Sequence, residues 1–272
     1  MNRTASVATP PSRADLAQRA ATVVAGVLLV AAALVPSAGV LALVGCAALV
    51  AGWEYRALTS PRGRLADRFV SGLVGLACAG TCATVVGARP VLAGPVIAGA
   101  LLLLLPTLVS LPRAGVVRWI AGPLYFGALP AFLALLRQGE HGVAWVAVVL
   151  AATWGGSIGA YAVGRTLGRR PLAPGISPAK TVEGAFGGLV LGTALAFAVS
   201  GGAIPWTTLA WIAPLAQALS QVGDLAESRL KRQYGAKDSG SLFGAQGGML
   251  DCVDGLCLAA PFVYLASGLV RG

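Results

Sequence analysis

Long apolar runs, each bounded by charged residues or by Pro and Gly, recur along the whole 272-residue chain. Long alternating strands of the kind that build a membrane barrel are absent. A helix needs about 20 residues to cross the hydrocarbon. Nine runs approach that length, at roughly 20–35, 38–55, 69–87, 91–111, 116–136, 143–163, 184–202, 205–222 and 248–269. The pattern predicts an all-α, polytopic integral membrane protein of about nine transmembrane helices. The first two runs are separated only by a Pro36-Ser37 turn, as in a helical hairpin. Small and imino residues fit the same class: the 37 glycines let helices approach closely, and neighbouring helices satisfy carbonyls freed by the 16 prolines.

The basic residues orient this map. With the N-terminus in the cytoplasm, the inside segments collect Arg3, Arg13 and Arg19, then Arg56, Arg62, Arg64 and Arg68, then Arg113 and Arg118. Two later inside loops hold Arg165, Arg169, Arg170 and Lys180, and Arg229, Lys231, Arg232 and Lys237. That places 17 of the 20 cationic residues inside and leaves Arg89, Arg137 and Arg271 outside, as the positive-inside rule requires. The division is a cytoplasmic tail over 1–19, a transmembrane scaffold over 20–142 and a C-terminal transmembrane domain over 143–272 that carries the polar chemistry.

Composition narrows the class further. The chain is 57% hydrophobic and 11% charged, with a mean hydropathy of +0.79; soluble domains are about 25% charged. A soluble enzyme, a disordered regulator and a secreted disulfide scaffold are excluded together. The net charge of +10 follows mainly from topology and from affinity for anionic leaflet lipids. The charges are spread over short loops, so no nucleic-acid partner is expected. Cys46, Cys78, Cys82, Cys252 and Cys257 lie in apolar stretches without a C-x-x-C pair and read as packing residues.

The chemistry gathers late in the chain. Six of the ten acids (Glu183, Asp224, Glu227, Asp238, Asp251 and Asp254) and all three lysines lie in the last third. Asp251 and Asp254, spaced i, i+3, share one helix face at the start of the last run. They read either as ligands of a hard divalent cation or as a pair solvated or bridged to arginine. Asp224, Ser228 and Lys231 share a second face, suited to gripping a metal and a phosphate; a solvated helix with a Glu227–Lys231 pair is the other reading. Lys237-Asp238-Ser239-Gly240-Ser241 is a polar loop suited to polyphosphate. Upstream, Ser177 or Thr181 is positioned to cap the helix that follows, with Lys180 adding a full charge beside an anion-attracting helix start.

Together these segments resemble the phosphatidate cytidylyltransferases, or CDP-diacylglycerol synthases. The family's C-terminal signature is matched by Ser228, Lys231, Arg232, Lys237, Asp238, Gly247, Gly248, Asp251 and Asp254. Gly223-Asp224-Leu225 with Glu227 matches the lead into it. Ser177-Pro178-Ala179-Lys180-Thr181-Val182-Glu183-Gly184 matches an S-P-K-K-T-x-E-G element, and Gly159-Ala160-Tyr161, Gly164-Arg165 and Gly168 match a G-A-Y-x-x-G-R-x-x-G element. Three positions depart. Ser157 stands where the family has an acid, Gln246 where it has His, and Cys252 where it has Arg.

The resemblance implies a membrane enzyme of the inner (plasma) membrane, its active site facing the cytoplasm. CTP and phosphatidate would become CDP-diacylglycerol and pyrophosphate. It implies Mg²⁺, with or without a second cation, held by Asp224, Asp251 and Asp254. The implied catalytic set is Asp224, Ser228, Lys231, Arg232, Lys237, Asp238, Asp251 and Asp254. Substrate contacts would come from Ser177, Lys180, Thr181, Glu183, Arg165, Gln246, Gly247 and Gly248. Membrane lipid is the environment of the substrate, and a homodimer is expected. The alternatives are a CTP-dependent polyprenol or lipid-alcohol kinase, and a catalytically degenerate lipid-binding member of the family. Restoring Gln246→His together with Cys252→Arg is expected to raise pyrophosphate release from CTP if the departures are degenerative; no change, or a loss, marks a site that works through its own residues.

Overall fold

The structure, a computed structural model, describes residues 26, 28, 30–36, 38–59, 77, 80–84, 86, 122–243 and 247–271. The expected tail over 1–19, the run at 91–111, half of that at 20–35 and most of that at 69–87 lie outside the described residues, as does Gln246.

Helix α1, Gly39–Thr59, covers the second expected run. The first described segment of the next part is a π-helical turn at Pro123–Ala128, followed by α2, Phe132–Gln138. Then come α3, Gly142–Leu150, a second π-helical turn at Ala151–Gly155, and α4, Gly156–Leu167, which form one continuous span. Two short strands follow, β1 over Pro171–Ala173 and β2 over Ser177–Thr181. The rest is helical: α5, Val182–Ser200; α6, Trp206–Gln233; α7, Met249–Val253; and α8, Leu256–Arg271.

Among the described residues, four helical stretches are long and apolar enough to cross a membrane: Gly39–Thr59, Gly142–Leu167, Val182–Ser200 and Met249–Gly268. Helix α6 outruns its expected end at 222 and continues to Gln233 as a polar extension. Pro214 and Pro261 sit inside α6 and α8 without ending them. A Pro ring removes one helical N–H, a loss that neighbouring helices tolerate in lipid. The α5–α6 turn needs glycine: Gly201 takes φ +57° just after the last helical residue, a left-handed cap that any Cβ would strain.

The described residues are mostly helical, as the all-α expectation has it, with one small antiparallel β1–β2 hairpin inserted between α4 and α5. Its cause is local. Pro171, Pro174 and Pro178 forbid a continuous helix after Gly168. The backbone closes instead through Ile176 N–H to Ala173 O (3.0 Å) and Val182 N–H to Arg170 O (2.8 Å). The hairpin is then tied to α5 by Glu183, whose Oε2 accepts from the N–H groups of Arg169 (2.9 Å) and Arg170 (3.2 Å).

The α3–α4 span and α5 meet backbone to backbone. The buried stripe of α5 is Gly184, Gly188, Gly192, Ala196 and Ser200, one residue in four. A Cβ on Gly184, Gly188 or Gly192 would lie 2.7, 2.7 and 2.6 Å from the carbonyl oxygens of Ala160, Gly156 and Ala152. Close approach of small residues is how helices gain packing energy in lipid, where no hydrophobic effect drives them together. Phe126, Leu129, Phe132, Leu136, Leu209 and Ile212 belong to the buried apolar core, in which Phe132 of α2 packs on Tyr264 of α8. Phe186 (68% exposed) and Val190 (62%) point away from the bundle on the opposite side of α5, as a lipid-facing surface does. Gly188→Ala is expected to cost about 1–3 kcal/mol through overpacking, read as a lower unfolding midpoint in detergent. Gly268→Ala, where a Cβ meets nothing within 4 Å, is expected to be neutral or stabilising.

Candidate active site

The polar extension of α6 organises the site. At residue 231 the helix has left its apolar stretch, and a buried lysine becomes affordable only with partners. Lys231 Nζ lies 2.7 Å from Glu227 Oε2, one turn back, and also pairs with Asp251 Oδ1 of α7. Both the lysine and Glu227 are almost fully enclosed. Burial pushes the Glu227 carboxyl up to about 8; Lys231 opposes that shift, and the charges of Asp251 and Asp224 add to it. Burial alone would lower Lys231, but Glu227 and Asp251 outweigh it and hold the ammonium above its ordinary range. So the expected Glu227–Lys231 pair exists, and Asp251 completes a triad.

Among the described residues, Asp251 is the most heavily bonded acid. Its Oδ2 accepts from Ser239 Oγ (2.8 Å), Ser239 N–H (3.1 Å) and Gly248 N–H (2.7 Å). Gly247, at φ +89°, makes the turn that brings this N–H round; a Cβ there would strike the Asp251 carboxylate. Asp254, three residues on, has different neighbours. It is buried, its Oδ1 accepts from Gly255 N–H, and the charges of Asp224 and Glu227 bear on it. Gly223 lets α6 lie directly on this junction, since a Cβ there would meet Asp254 O at 2.5 Å.

The second cation is Lys180 at the end of the hairpin. Its Nζ lies 2.6 Å from Asp224 Oδ1 on α6, and Ser228 Oγ is 3.5 Å from the same oxygen. Thr181, not Ser177, caps α5: its Oγ1 accepts from Gly184 N–H at 3.1 Å. Ser177 lies within β2, beside Ile176, whose carbonyl accepts from Arg232 Nε (3.3 Å). Arg232 also holds Ala236 O (2.9 Å), tying the hairpin turn to the end of α6.

The structure therefore brings together Asp224, Ser228, Lys231, Asp251, Asp254, Lys180, Gly247 and Gly248. Lys237 and Asp238 lie exposed on the following loop. Arg165 turns aside to donate to Tyr161 Oη (2.8 Å), and Glu183 is engaged with the hairpin backbone. Ser157 donates to Thr153 O within its own helix (3.0 Å). Cys252 occupies its turn of α7 with its carbonyl accepting from Trp154 Nε1 (3.4 Å).

One residue of the site was missed in the sequence. Glu54 on α1 accepts from Met249 N–H (3.1 Å), Leu250 N–H (2.9 Å) and Ser239 Oγ (3.2 Å). The signal was present, because an acid inside an apolar run is costly and marks a site. Nothing local ties Glu54 to the late polar segments, because its partners lie 185 to 196 residues away.

The donor set suits a hard cation. Its acids offer oxygen, and Glu227 Oε1 is buried without a hydrogen-bond partner. Among the described residues, however, no three His, Cys, Asp or Glu side chains stand grouped as a metal cage. The reason is visible: Asp224 and Asp251 are each drawn to a lysine.

A family model described as the cytidylyltransferase family matches residues 17–270 of the chain. The phosphatidate cytidylyltransferase of Brucella suis is 44% identical over 157 residues, covering 54% of this chain and 56% of that protein. The protein of the same name from Bacillus subtilis is 38% identical over 141 residues, covering 51% and 52%. That from Pseudomonas aeruginosa is 40% identical over 139 residues, covering 49% and 51%. The chain thus spans about half the length of the curated relatives it matches.

Removing Lys231 leaves two buried acids facing each other. Lys231→Met is expected to cost about 3–5 kcal/mol, the range for breaking a buried ion pair by deleting one partner. Glu227→Gln should cost less, because the amide keeps the shape and an oxygen acceptor for Lys231 while removing a charge that burial opposes. Unfolding midpoints of the two variants in detergent check the order.

Proposed function

The chain belongs to the cytidylyltransferase family, and on that premise we propose that it makes CDP-diacylglycerol and pyrophosphate from CTP and phosphatidate. The observation that carries this reading is a pair of lysines from separate motifs, Lys180 and Lys231, each held by acids of α6 or α7 at one polar end of the bundle. A lipid phosphate and a nucleotide triphosphate repel each other, and fixed cations at one spot are what the encounter requires. In the same reading nine helices cross the membrane with the N-terminus inside. The site then faces the cytoplasm of a cell whose inner membrane holds the lipid.

A phosphatidate oxygen attacks the α-phosphorus of CTP. The new P–O bond forms as the bond to the β-phosphate breaks, and pyrophosphate leaves with the electron pair. The attacking oxygen is already anionic, so no strong general base is needed. Lys231 and Lys180 take phosphate oxygens in exchange for the carboxylates that hold them beforehand. Arg232 and Lys237 add positive charge at the mouth. Ser177 and the Gly247-Gly248 backbone line the approach, and the capping bond of Thr181 fixes the start of α5 beside Lys180. Asp224, Asp251 and Asp254 would hold Mg²⁺, which supplies charge neutralisation and alignment of the phosphates when bound.

CTP labelled at the α-phosphate is expected to pass label into lipid, and CTP labelled at the γ-phosphate is not. γ-Label in lipid would indicate a kinase, and neither label a non-catalytic protein. Asp251→Asn should abolish the α-label product while the protein remains inserted and folded; full activity in that variant contradicts its assigned role.

A further inference from the structure

Glu54 stands outside every motif that points to the reaction, yet it is built into the site. It lies near the end of α1, between Ala51 and Tyr55, which are buried in the apolar core. Both of its oxygens are used. Oε1 accepts from Met249 N–H, and Oε2 accepts from Leu250 N–H and Ser239 Oγ. These partners are 185 to 196 residues away in sequence.

The fit around the carboxylate is close. A Cβ on Gly240 would lie 2.6 Å from Glu54 Oε1, and a Cβ on Gly248 would run into both carboxylate oxygens. Glycine at these two positions is therefore what lets the loop close over the acid. Ser239 sits between two carboxylates, 3.2 Å from Glu54 Oε2 and 2.8 Å from Asp251 Oδ2. A hydroxyl has one proton, so Ser239 serves one acid through Oγ at a time, while its N–H stays on Asp251.

We propose that Glu54 is a positioning residue for cytidylyl transfer. It clamps the backbone of Met249 and Leu250 together with Ser239, and through them fixes the direction in which Asp251 meets Lys231. The N-terminal half thereby sets the geometry of a site whose reacting groups all lie in the C-terminal half. The inference rests on the cytidylyltransferase reading for its kinetic consequence and on the hydrogen bonds alone for its structural one.

The test compares wild type with Glu54→Gln, which keeps the shape but turns an NH₂ toward donors. The full chain in detergent or nanodiscs is assayed with CTP and phosphatidate, and amide exchange is followed over 239–251. The expected result is a fall in kcat of tenfold or more, KM for CTP within about threefold of wild type, and faster exchange at Met249 and Leu250. Combining Glu54→Gln with Ser239→Ala should lower kcat little beyond the worse single variant, since both act on Asp251. Wild-type kcat in Glu54→Gln overturns the proposal. So does a loss of kcat with exchange unchanged, or losses that multiply in the double variant. Should Glu54→Gln fail to fold, Met249→Pro removes one of the same bonds from the other side, at a first helical position that accepts proline; unchanged kcat there also overturns it. If wild type yields no lipid product from CTP, the cytidylyltransferase reading fails, and the exchange arm alone decides whether Glu54 holds 249–250.

Discussion

A buried ammonium shared by two carboxylates governs this molecule. Lys231 lies between Glu227 of its own helix and Asp251 of α7. Taking any of these charges out of water alone would cost several kcal/mol. Together they are tolerable, and the requirement that they stay together determines how α6 and α7 sit. Ser239 and Gly248 both donate to Asp251, so the segment that returns from α6 is pinned at the carboxylate.

The rest of the bundle makes that end of α6 reachable. Glycines on α5 bring it against the carbonyls of the α3–α4 span, which places the hairpin, and hence Lys180, alongside Asp224. Gly223 and Gly255 do the same for α6 against the α7–α8 junction. Backbone contact at these points leaves little space for side chains to slide, so helix packing brings the charged groups within reach and their pairing then fixes α6 against α7. The electrostatics are then a balance: burial pushes the Glu227 carboxyl up, Lys231 opposes that, and Glu227 with Asp251 holds the ammonium above its ordinary range.

Much of this was legible in order of residue spacing. Apolar runs of helical length gave α1, the α3–α4 span, α5, α6 and the α7–α8 region. Spacing placed Asp224 with Lys231 and Asp251 with Asp254 on shared faces, and the family resemblance implied that these and Lys180 form one site. What spacing could not give was partner choice. Asp251 and Asp254 share a helix face in the sequence, yet their partners differ: Asp251 pairs with Lys231 and accepts from Ser239 and Gly248, while Asp254 accepts from Gly255 N–H. The hairpin lies within what the charge pattern assigns to an inside loop, where short strands carry no apolar alternation to mark them. Glu54 was hidden because nothing local says that a carboxylate in the scaffold meets a backbone so far along the chain.

The central claim is that Lys231 is the charge that Glu227 and Asp251 share. It is tested most directly by the unfolding midpoint of the triple variant Lys231→Met, Glu227→Gln, Asp251→Asn set against Lys231→Met alone. If the acids are buried on the lysine's account, neutralising all three recovers most of the stability that the single change removes. A triple variant as unstable as Lys231→Met, or less stable, would contradict the account.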